Sequence, residues 1–171
     1  MNPAGAVPDL EPMYAALFAL VQANAPQWTN ESGNDAVFKG FSRVPVPPSQ
    51  LAQGELPVLF QEELPWEIRP VIATIGGRYR YTLRADLVIV LACNGAQQTV
   101  GSEDILPTRE LNRALMATLA AIAPPYPGAK QTLGDLVDSA YAEGRIERIV
   151  GLPGDGMQLS VGIIPVTILT I

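Results

Sequence analysis

The chain has 171 residues, of which 48% are hydrophobic and 16% are charged, with a formal net charge of −6. This length favours a single domain over residues 1–171 with a sizeable core, and the acidic balance argues against a general phosphate-binding surface. The chain contains one cysteine, Cys93, and no histidine, which excludes an intrachain disulfide and Ser–His or Cys–His catalysis.

Composition also bears on location and partners. The N-terminal segment MNPAGAVPDLEP has no basic region and no long apolar core, so we expect no signal peptide. The longest apolar stretch, GIIPVTILTI, is too short to span a bilayer. We therefore expect a soluble protein made in the cytoplasm, with no membrane partner. The low charged fraction indicates that partners cover part of its surface in an assembly.

The first predicted element is a helix that ends near Asn24, before Pro26. Asp9 is the expected N-cap, and Pro12 is tolerated in the first turn. The apolar residues that recur at helical spacing are Leu10, Met13, Tyr14, Leu17, Phe18 and Val21.

Two strands and a proline-rich connection follow this helix. The segment VFKGFSRV predicts one strand, and PVLFQEEL, from Pro57 to Leu64, predicts another, with Glu62 and Glu63 at its polar end. The stretch between them, about residues 45–57, combines three prolines before Pro57 with polar residues and a glycine. It predicts an exposed, mobile connection.

The segment GRYRYTLRADLVIVLACN is the clearest strand. One face of this strand carries Arg80 and Arg84 in the first half of the segment, and Val88 and Val90 in the second half. The second half is therefore expected to be covered on both faces, by a helix, another sheet or another subunit. The other face is apolar throughout, with Tyr81, Leu83, Ala85, Leu87, Ile89 and Leu91 at alternate positions.

A second helix and a long final strand complete the pattern. The helix is expected from about Thr108, as N-cap, to Ala123. The final segment MQLSVGIIPVTILTI is apolar on both faces, which predicts a strand deep in a sheet or an interface, with Pro165 at an edge or bulge. The segment GLPGDGMQ before it predicts a hairpin loop. The order of elements predicts an α+β fold, a mostly antiparallel β-sheet with helices packed on one face.

The segment KQTLGDLVDSAYAEGRIE concentrates carboxylates, and a metal site is one interpretation of it. Asp135 and Asp138, with Glu143 or Glu147, are oxygen donors of the kind that bind Mg²⁺ or Ca²⁺. Their spacing matches no calcium loop, and no phosphate-binding motif accompanies them. The metal interpretation therefore has little support from the pattern.

A structural interpretation of the same segment accounts for more of its residues. Thr132 precedes Asp135 by three positions, which fits a capping box at the start of a short helix. The following SAYAEGRIERIV predicts a strand with Gly144 at a bulge or close contact. One face of that strand would carry Tyr141, Glu143, Arg145 and Glu147.

Several short segments occur in a characteristic order along the chain. They are LPVLF followed by acids, QTLG before the predicted short helix, EGRIE, and an apolar ending with IPV. Their order resembles that of the tail terminator (tail completion) proteins of long-tailed bacteriophages and prophages. The resemblance covers roughly Asp9 to Ile171.

The resemblance implies an α+β structural protein that forms a hexameric ring, caps the tail tube and stops its polymerisation. It implies three partners, namely further copies of the chain, the tail-tube protein and a head or neck connector, with DNA passing through the ring without sequence-specific binding. It implies no enzymatic activity, catalytic residue, metal or cofactor, and a place in the virion tail after assembly in the host cytoplasm. Strand-face periodicity gives the interface candidates, Arg80, Arg84, Glu143, Arg145 and Glu147.

Three alternatives stay open at the level of sequence. The chain could be another head–tail joining or neck protein. It could instead be a small carboxylate-dependent metal-binding enzyme, which would lose its metal when Asp135 and Asp138 are both replaced. A third alternative is a ligand-binding module, which would stay monomeric at high concentration.

Overall fold

The computed structural model describes residues 9–71, 78–92 and 106–171. These residues form two α-helices, α1 (Glu11–Asn24) and α2 (Leu106–Ala121), and eight strands. The strands are β1 (Gln27–Thr29), β2 (Asp35–Val37), β3 (Gly40–Ser42), β4 (Val58–Val71), β5 (Arg78–Ala92), β6 (Ser139–Ala142), β7 (Glu147–Pro153) and β8 (Gln158–Leu169).

Six of these strands form one sheet. Its order is β3-β4-β5-β8-β6. Strand β7 also pairs with β8, along the same edge of β8 as β6. Every pairing in this sheet is antiparallel except that of β3 with β4, and β1 and β2 form a separate antiparallel hairpin. The predicted α+β class and mostly antiparallel sheet are confirmed. The final strand β8 lies inside the sheet, as its two apolar faces predicted.

The main core lies between the helices and one face of the sheet. Tyr14, Leu17 and Val21 of α1 are buried there, as are large aliphatic residues of β5. At Gly162 of β8 a Cβ atom would come within 2.9 Å of the Leu115 side chain, so α2 packs directly against the backbone of this strand. Both helices therefore pack on the same face of the sheet, as predicted.

A second, smaller core covers part of the opposite face. Leu51 and Leu56 of the proline-rich connection, each 3% exposed, pack against the sheet there. The connection contains two 3₁₀ turns, Pro48–Gln50 and Gln53–Glu55. We call this part of the sheet the covered half. Its sheet residues are Val58, Phe60, Val90, Leu159 and Val161.

The covered half adds a detail to one prediction and confirms another. Most residues of the connection at 45–57 are exposed, while its two leucines leave water by closing over the sheet. The expectation that the second half of β5 is covered on both faces is confirmed, and on this face the cover comes from the same chain.

The end of α1 agrees with the sequence, whereas the starts of both helices differ from it. Helix α1 ends at Asn24, but its N-cap is Leu10, which makes no side-chain cap hydrogen bond, so the prediction of Asp9 as N-cap is wrong. The Asp9 carboxylate accepts from the Glu11 N–H at 3.0 Å from outside the helix. Helix α2 begins at Leu106, so Thr108 lies inside the first turn and is not the N-cap. Pro107 is compatible with that turn because the first helical N–H groups need no intrahelical acceptor.

The predicted strand VFKGFSRV is divided between two sheets. Its first residue belongs to β2, and Gly40–Ser42 form β3 beside β4. The Lys39 N–H at the junction donates to the Pro57 carbonyl at 2.8 Å. This bond starts the parallel pairing of β3 with β4.

The predicted strand SAYAEGRIERIV is also interrupted. Ala142 pairs with Val166 and Glu147 with Ile163, so the four residues between β6 and β7 face only two residues of β8. Pro165, one of those two, has no N–H to donate. Gly144 has a φ of +109° and faces Pro165, with a Cβ position 3.5 Å from its ring. A bulge at Gly144 and Pro165 is confirmed, and a continuous strand is wrong.

Candidate assembly surface

Part of the sheet face opposite the helices has no cover in the described part of the chain. Side chains at alternate positions of β5 lie on this face, and the residues beside them on β4 and β8 extend it. We call this region the open half. Its charged and aromatic residues are Glu62, Glu67, Arg69, Arg80, Arg84, Asp86, Tyr141, Glu143 and Glu147.

Four of the five predicted interface residues belong to the open half, although they come from distant parts of the sequence. Arg84 pairs in register with Thr167 of β8, and the Thr167 hydroxyl donates to Glu143 Oε2 at 3.3 Å. Thr167 thus links the β5 and β6 regions of this face. The fifth candidate, Arg145, is exposed in the break between β6 and β7, which removes it from the predicted strand face.

Three carboxylates form an acidic patch within the open half: Glu62, Asp86 and Glu147. Glu62 and Asp86 are register partners on β4 and β5. Partial burial raises the pKa of Asp86, and the charges of Glu62 and Glu147 raise it further. The patch therefore holds negative charges that repel one another. Within residues 9–71, 78–92 and 106–171, no group of three or more acidic, cysteine or histidine side chains could hold a metal ion.

The other end of the open half is a two-stranded arm with basic side chains. Residues Glu67–Val71 pair with Arg78–Thr82, whereas β8 pairs with β5 only from Thr82 onward. Arg69 lies directly opposite Arg80. Glu67 is the carboxylate near this end, 3.7 Å from Arg69 and 3.5 Å from Arg84. Like charges directly opposite each other destabilise a strand pair, and Glu67 supplies one negative charge beside Arg69 and Arg84.

The opposite face of the arm is apolar and exposed. Trp66 is 45% exposed and Ile68 is 54% exposed. Trp66 stacks edge-on against Tyr81 with ring centroids 5.5 Å apart, which fixes its orientation beside the strand irregularity between Leu64 and Glu67. These two exposed apolar side chains are accessible to another protein.

The outer side of β6 and β7 is a second exposed feature. These strands pair with β8 on one side, and no other described strand pairs with their outer side. Ile149 and Val150 of β7 are more than a third exposed. An unpaired strand edge with apolar side chains is able to accept another chain.

The predicted capping pair Thr132 and Asp135 forms its hydrogen bonds without the predicted helix. The Asp135 N–H donates to Thr132 Oγ1 at 3.3 Å, and that hydroxyl donates to Asp135 Oδ1 at 3.2 Å. Leu133, Gly134 and Asp135 have φ values of +51°, +71° and +66°, so the chain turns in the left-handed sense. A helix cap is therefore wrong, because Gly and Asp accept this conformation and only a few residues remain before β6.

The other carboxylates of this segment also have partners of their own. Lys130 Nζ donates to both oxygens of Asp138, at 3.2 and 3.3 Å, and the Asp138 N–H donates to the Leu169 carbonyl at 2.9 Å. Asp138 thus anchors the turn beside the end of β8. Asp135, Asp138 and Glu143 contact three different groups, which gives no support to a shared metal site.

A pocket of about 500 Å³ lies between the β1–β2 turn, the proline-rich connection and the first turn of α2. Glu110 on its wall accepts from Trp28 Nε1 at 3.2 Å and from the Glu31 N–H at 3.4 Å. Lys39 donates to the Gly54 carbonyl at 3.5 Å. These polar groups hold the walls of the pocket together, and Glu110 serves to fasten the hairpin to α2.

Comparison with protein-family models and with curated proteins found no match for the chain. Neither described α-helix combines the length and the hydrophobicity needed to cross a membrane.

Proposed function

We propose that the chain is a structural virion protein, a tail terminator that caps the tail tube, stops its polymerisation and joins the tail to the head or neck. One observation carries the proposal: a charged half of the sheet lies open beside a half that the chain covers itself. The sheet has two cores of its own and still leaves a charged surface uncovered. Such a surface is available for contacts between subunits in an assembly. The α+β fold expected from the sequence resemblance supports the proposal.

The proposed assembly is a hexameric ring. Its partners are other copies of the chain, the tail-tube protein at one face and a head or neck connector protein at the other. DNA passes through the ring without sequence-specific binding, and the formal net charge of −6 disfavours retention of its phosphates. The protein acts without a cofactor and without catalysis, in the virion tail after assembly in the host cytoplasm.

The experiment that tests this function measures control of tube length. The purified chain is added to tail-tube protein from the same phage or prophage before polymerisation starts, and tube lengths are measured by negative-stain microscopy. We expect shorter tubes that carry a ring at one end. Mass measurement of the capped particles should give six copies of the chain in that ring. Tube lengths that do not depend on the added chain, with bare tube ends, would contradict the proposal.

A further inference from the structure

The basic arm is the least supported part of the sheet. Arg69–Val71 and Arg78–Arg80 pair only with each other in the described part of the chain. The base of the arm is held by β8 and the residue after it, because Thr82 pairs with Leu169 and the Tyr81 N–H donates to Thr170 Oγ1 at 2.8 Å. Isolated two-stranded ribbons are at best marginally stable in water. This one also places Arg69, 72% exposed, directly opposite Arg80, which weakens it further.

The arm and the rest of the chain carry net charges of opposite sign. The two strands of the arm, Glu67–Val71 and Arg78–Thr82, contain three arginines and one glutamate, a net charge of +2. Since the whole chain carries −6, the remaining residues carry −8. The arm is thus a cationic projection on an anionic protein, and its natural complement is an acidic surface of the same kind of chain.

The acidic patch of Glu62, Asp86 and Glu147 is such a surface. It lies on the same sheet face as Arg69 and Arg80. Arg80 and Asp86 are six residues apart on one strand, about 20 Å at the rise of an antiparallel strand. A continuous paired strand cannot fold back over that distance, so the arm and the patch of one molecule do not neutralise each other.

We propose that the arm of one copy docks on the acidic patch of a neighbouring copy, with Arg69 and Arg80 facing Glu62, Asp86 and Glu147. The contact joins two different surfaces, so repeating it produces a closed ring or an open filament. The contact reduces the repulsion between the two opposed arginines and the repulsion among the three carboxylates. The inference rests on the proposed function, because it supplies the contact between subunits of the ring.

A charge exchange tests the contact. Variant one carries Arg69→Glu and Arg80→Glu, and variant two carries Glu62→Arg and Glu147→Arg. Self-association is measured by sedimentation equilibrium and mass photometry over a wide concentration range. We expect each variant alone to associate at least about tenfold more weakly than the wild type, since like charges then meet. An equimolar mixture restores association, because every arm in an alternating assembly meets a patch of opposite charge.

A matched control separates this effect from net charge and from folding. Lys39→Glu with Arg109→Glu makes the same change in net charge as variant one at two exposed positions outside the arm, and we expect wild-type association. Thermal melting checks that each variant folds. As an independent measurement, Arg69→Cys and Glu62→Cys chains, both with Cys93→Ser, are mixed and oxidised. A disulfide between the two chains supports the contact even where a charge variant fails to fold.

The outcomes separate the inference from the proposed function. If the wild type forms rings and both variants form rings of the same stability, the docking contact is overturned and the tail-terminator proposal is left standing. A wild-type chain that stays monomeric, together with Arg69→Cys and Glu62→Cys chains that form no mixed disulfide, also overturns the contact, and tube capping then decides the function separately. If variant one loses binding to duplex DNA while its self-association is unchanged, the arm binds phosphate and the inference is wrong.

Discussion

The covered half and the open half lie on the same face of one sheet, yet the chain treats them differently. In the covered half, Leu51 and Leu56 close over valines and a phenylalanine, so the apolar surface is removed from water within the molecule. In the open half, the opposed Arg69 and Arg80 lie at one end, and the acidic patch of Glu62, Asp86 and Glu147 lies at the other. The comparison teaches that the described residues complete the fold over one half and leave the other uncovered, where we propose that a second copy docks.

The largest expected effect comes from opening the covered half. Leu56→Ala removes a side chain that is 3% exposed, and we expect the free energy of unfolding to fall by about 2–4 kcal/mol. Leu136→Ala, at a position 43% exposed, is the control and should change it little. Urea denaturation measures both. Equal losses in the two variants would mean that the connection does not close the second core.

The next effect concerns the break between β6 and β7, which positions Glu143 in the open half. Gly144 has a φ of +109°, so Gly144→Ala should cost about 1–2 kcal/mol of backbone strain. Gly54→Ala is the matched control, since a Cβ there meets open space. Thermal unfolding compares the two. An unchanged stability for Gly144→Ala would show that the break does not need a left-handed residue.

A smaller effect is expected at Arg43, where opposite charges are paired within the chain. Its guanidinium donates to Glu11 Oε2 at 2.9 Å and to Glu63 Oε1 at 2.7 Å, joining α1 to β4. We expect Arg43→Met to lower the melting temperature by about 2–4 °C. Arg84→Met, which loses only a 3.5 Å pair with exposed Glu67, should lower it less.

The pH dependence of the Arg43 effect has a definite sign. The hydrogen bond from Arg43 lowers the pKa of Glu11 below its ordinary value of 4.5. This contribution to stability is therefore fully present above pH 4.5 and is lost as the pH falls through the lowered pKa. The difference in melting temperature between wild type and Arg43→Met should shrink in acid. A difference that stays constant from neutral pH to pH 3 would contradict this assignment.

The smallest effect is expected at Asp86, with the opposite sign. Burial first, and then Glu62 and Glu147, raise its pKa above the ordinary value of 3.8, so the ionised form costs stability once the pH exceeds 3.8. Asp86→Asn should stabilise the monomer at neutral pH by about 0.5 kcal/mol or less, because water screens a partly exposed group. The gain should vanish well below pH 3.8, as followed by urea denaturation across pH. A neutral-pH loss of stability in the monomer would overturn this account of the acidic patch.

Local patterns predicted those elements whose cause is local. The helical repeat of Leu10, Leu17 and Val21 gave α1 with its end at Asn24, because Pro26 stops the helix. Alternation along β5 gave both its apolar face and its covered second half. The GLPGDGMQ turn forms the loop between β7 and β8, closed by the Gly154 N–H bond to the Met157 carbonyl at 2.8 Å.

The missed features depend on partners far away in the sequence. The pairing of β3 with β4 is parallel, and the bond of Lys39 to Pro57 that begins it joins segments separated by the whole connection. The turn at Thr132–Asp135 follows the capping-box pattern, yet it remains a left-handed turn because β6 begins at Ser139. The sequence pattern offered Asp138 only as a candidate metal ligand, because its partner Lys130 is brought to it by the turn.

The candidate site shows the same division. Residue pattern alone singled out Arg80, Arg84, Glu143 and Glu147 as exposed charges on strands. It did not reveal the acidic patch, because Glu62, Asp86 and Glu147 come from three strands whose register the sequence does not display. A concentration of arginines between Arg69 and Arg84 was the available signal for the arm.

By itself the sequence determined the class of fold, the helices, the long apolar strands and the absence of histidine chemistry, because each follows from composition or from a short-range period. Tertiary structure alone decided which half of the sheet is covered. That choice depends on where Leu51 and Leu56 land after a connection with no regular period. It also decided that the opposed arginines and the clustered carboxylates lie on one face about 20 Å apart, because strand register places side chains across a sheet and no local pattern encodes it.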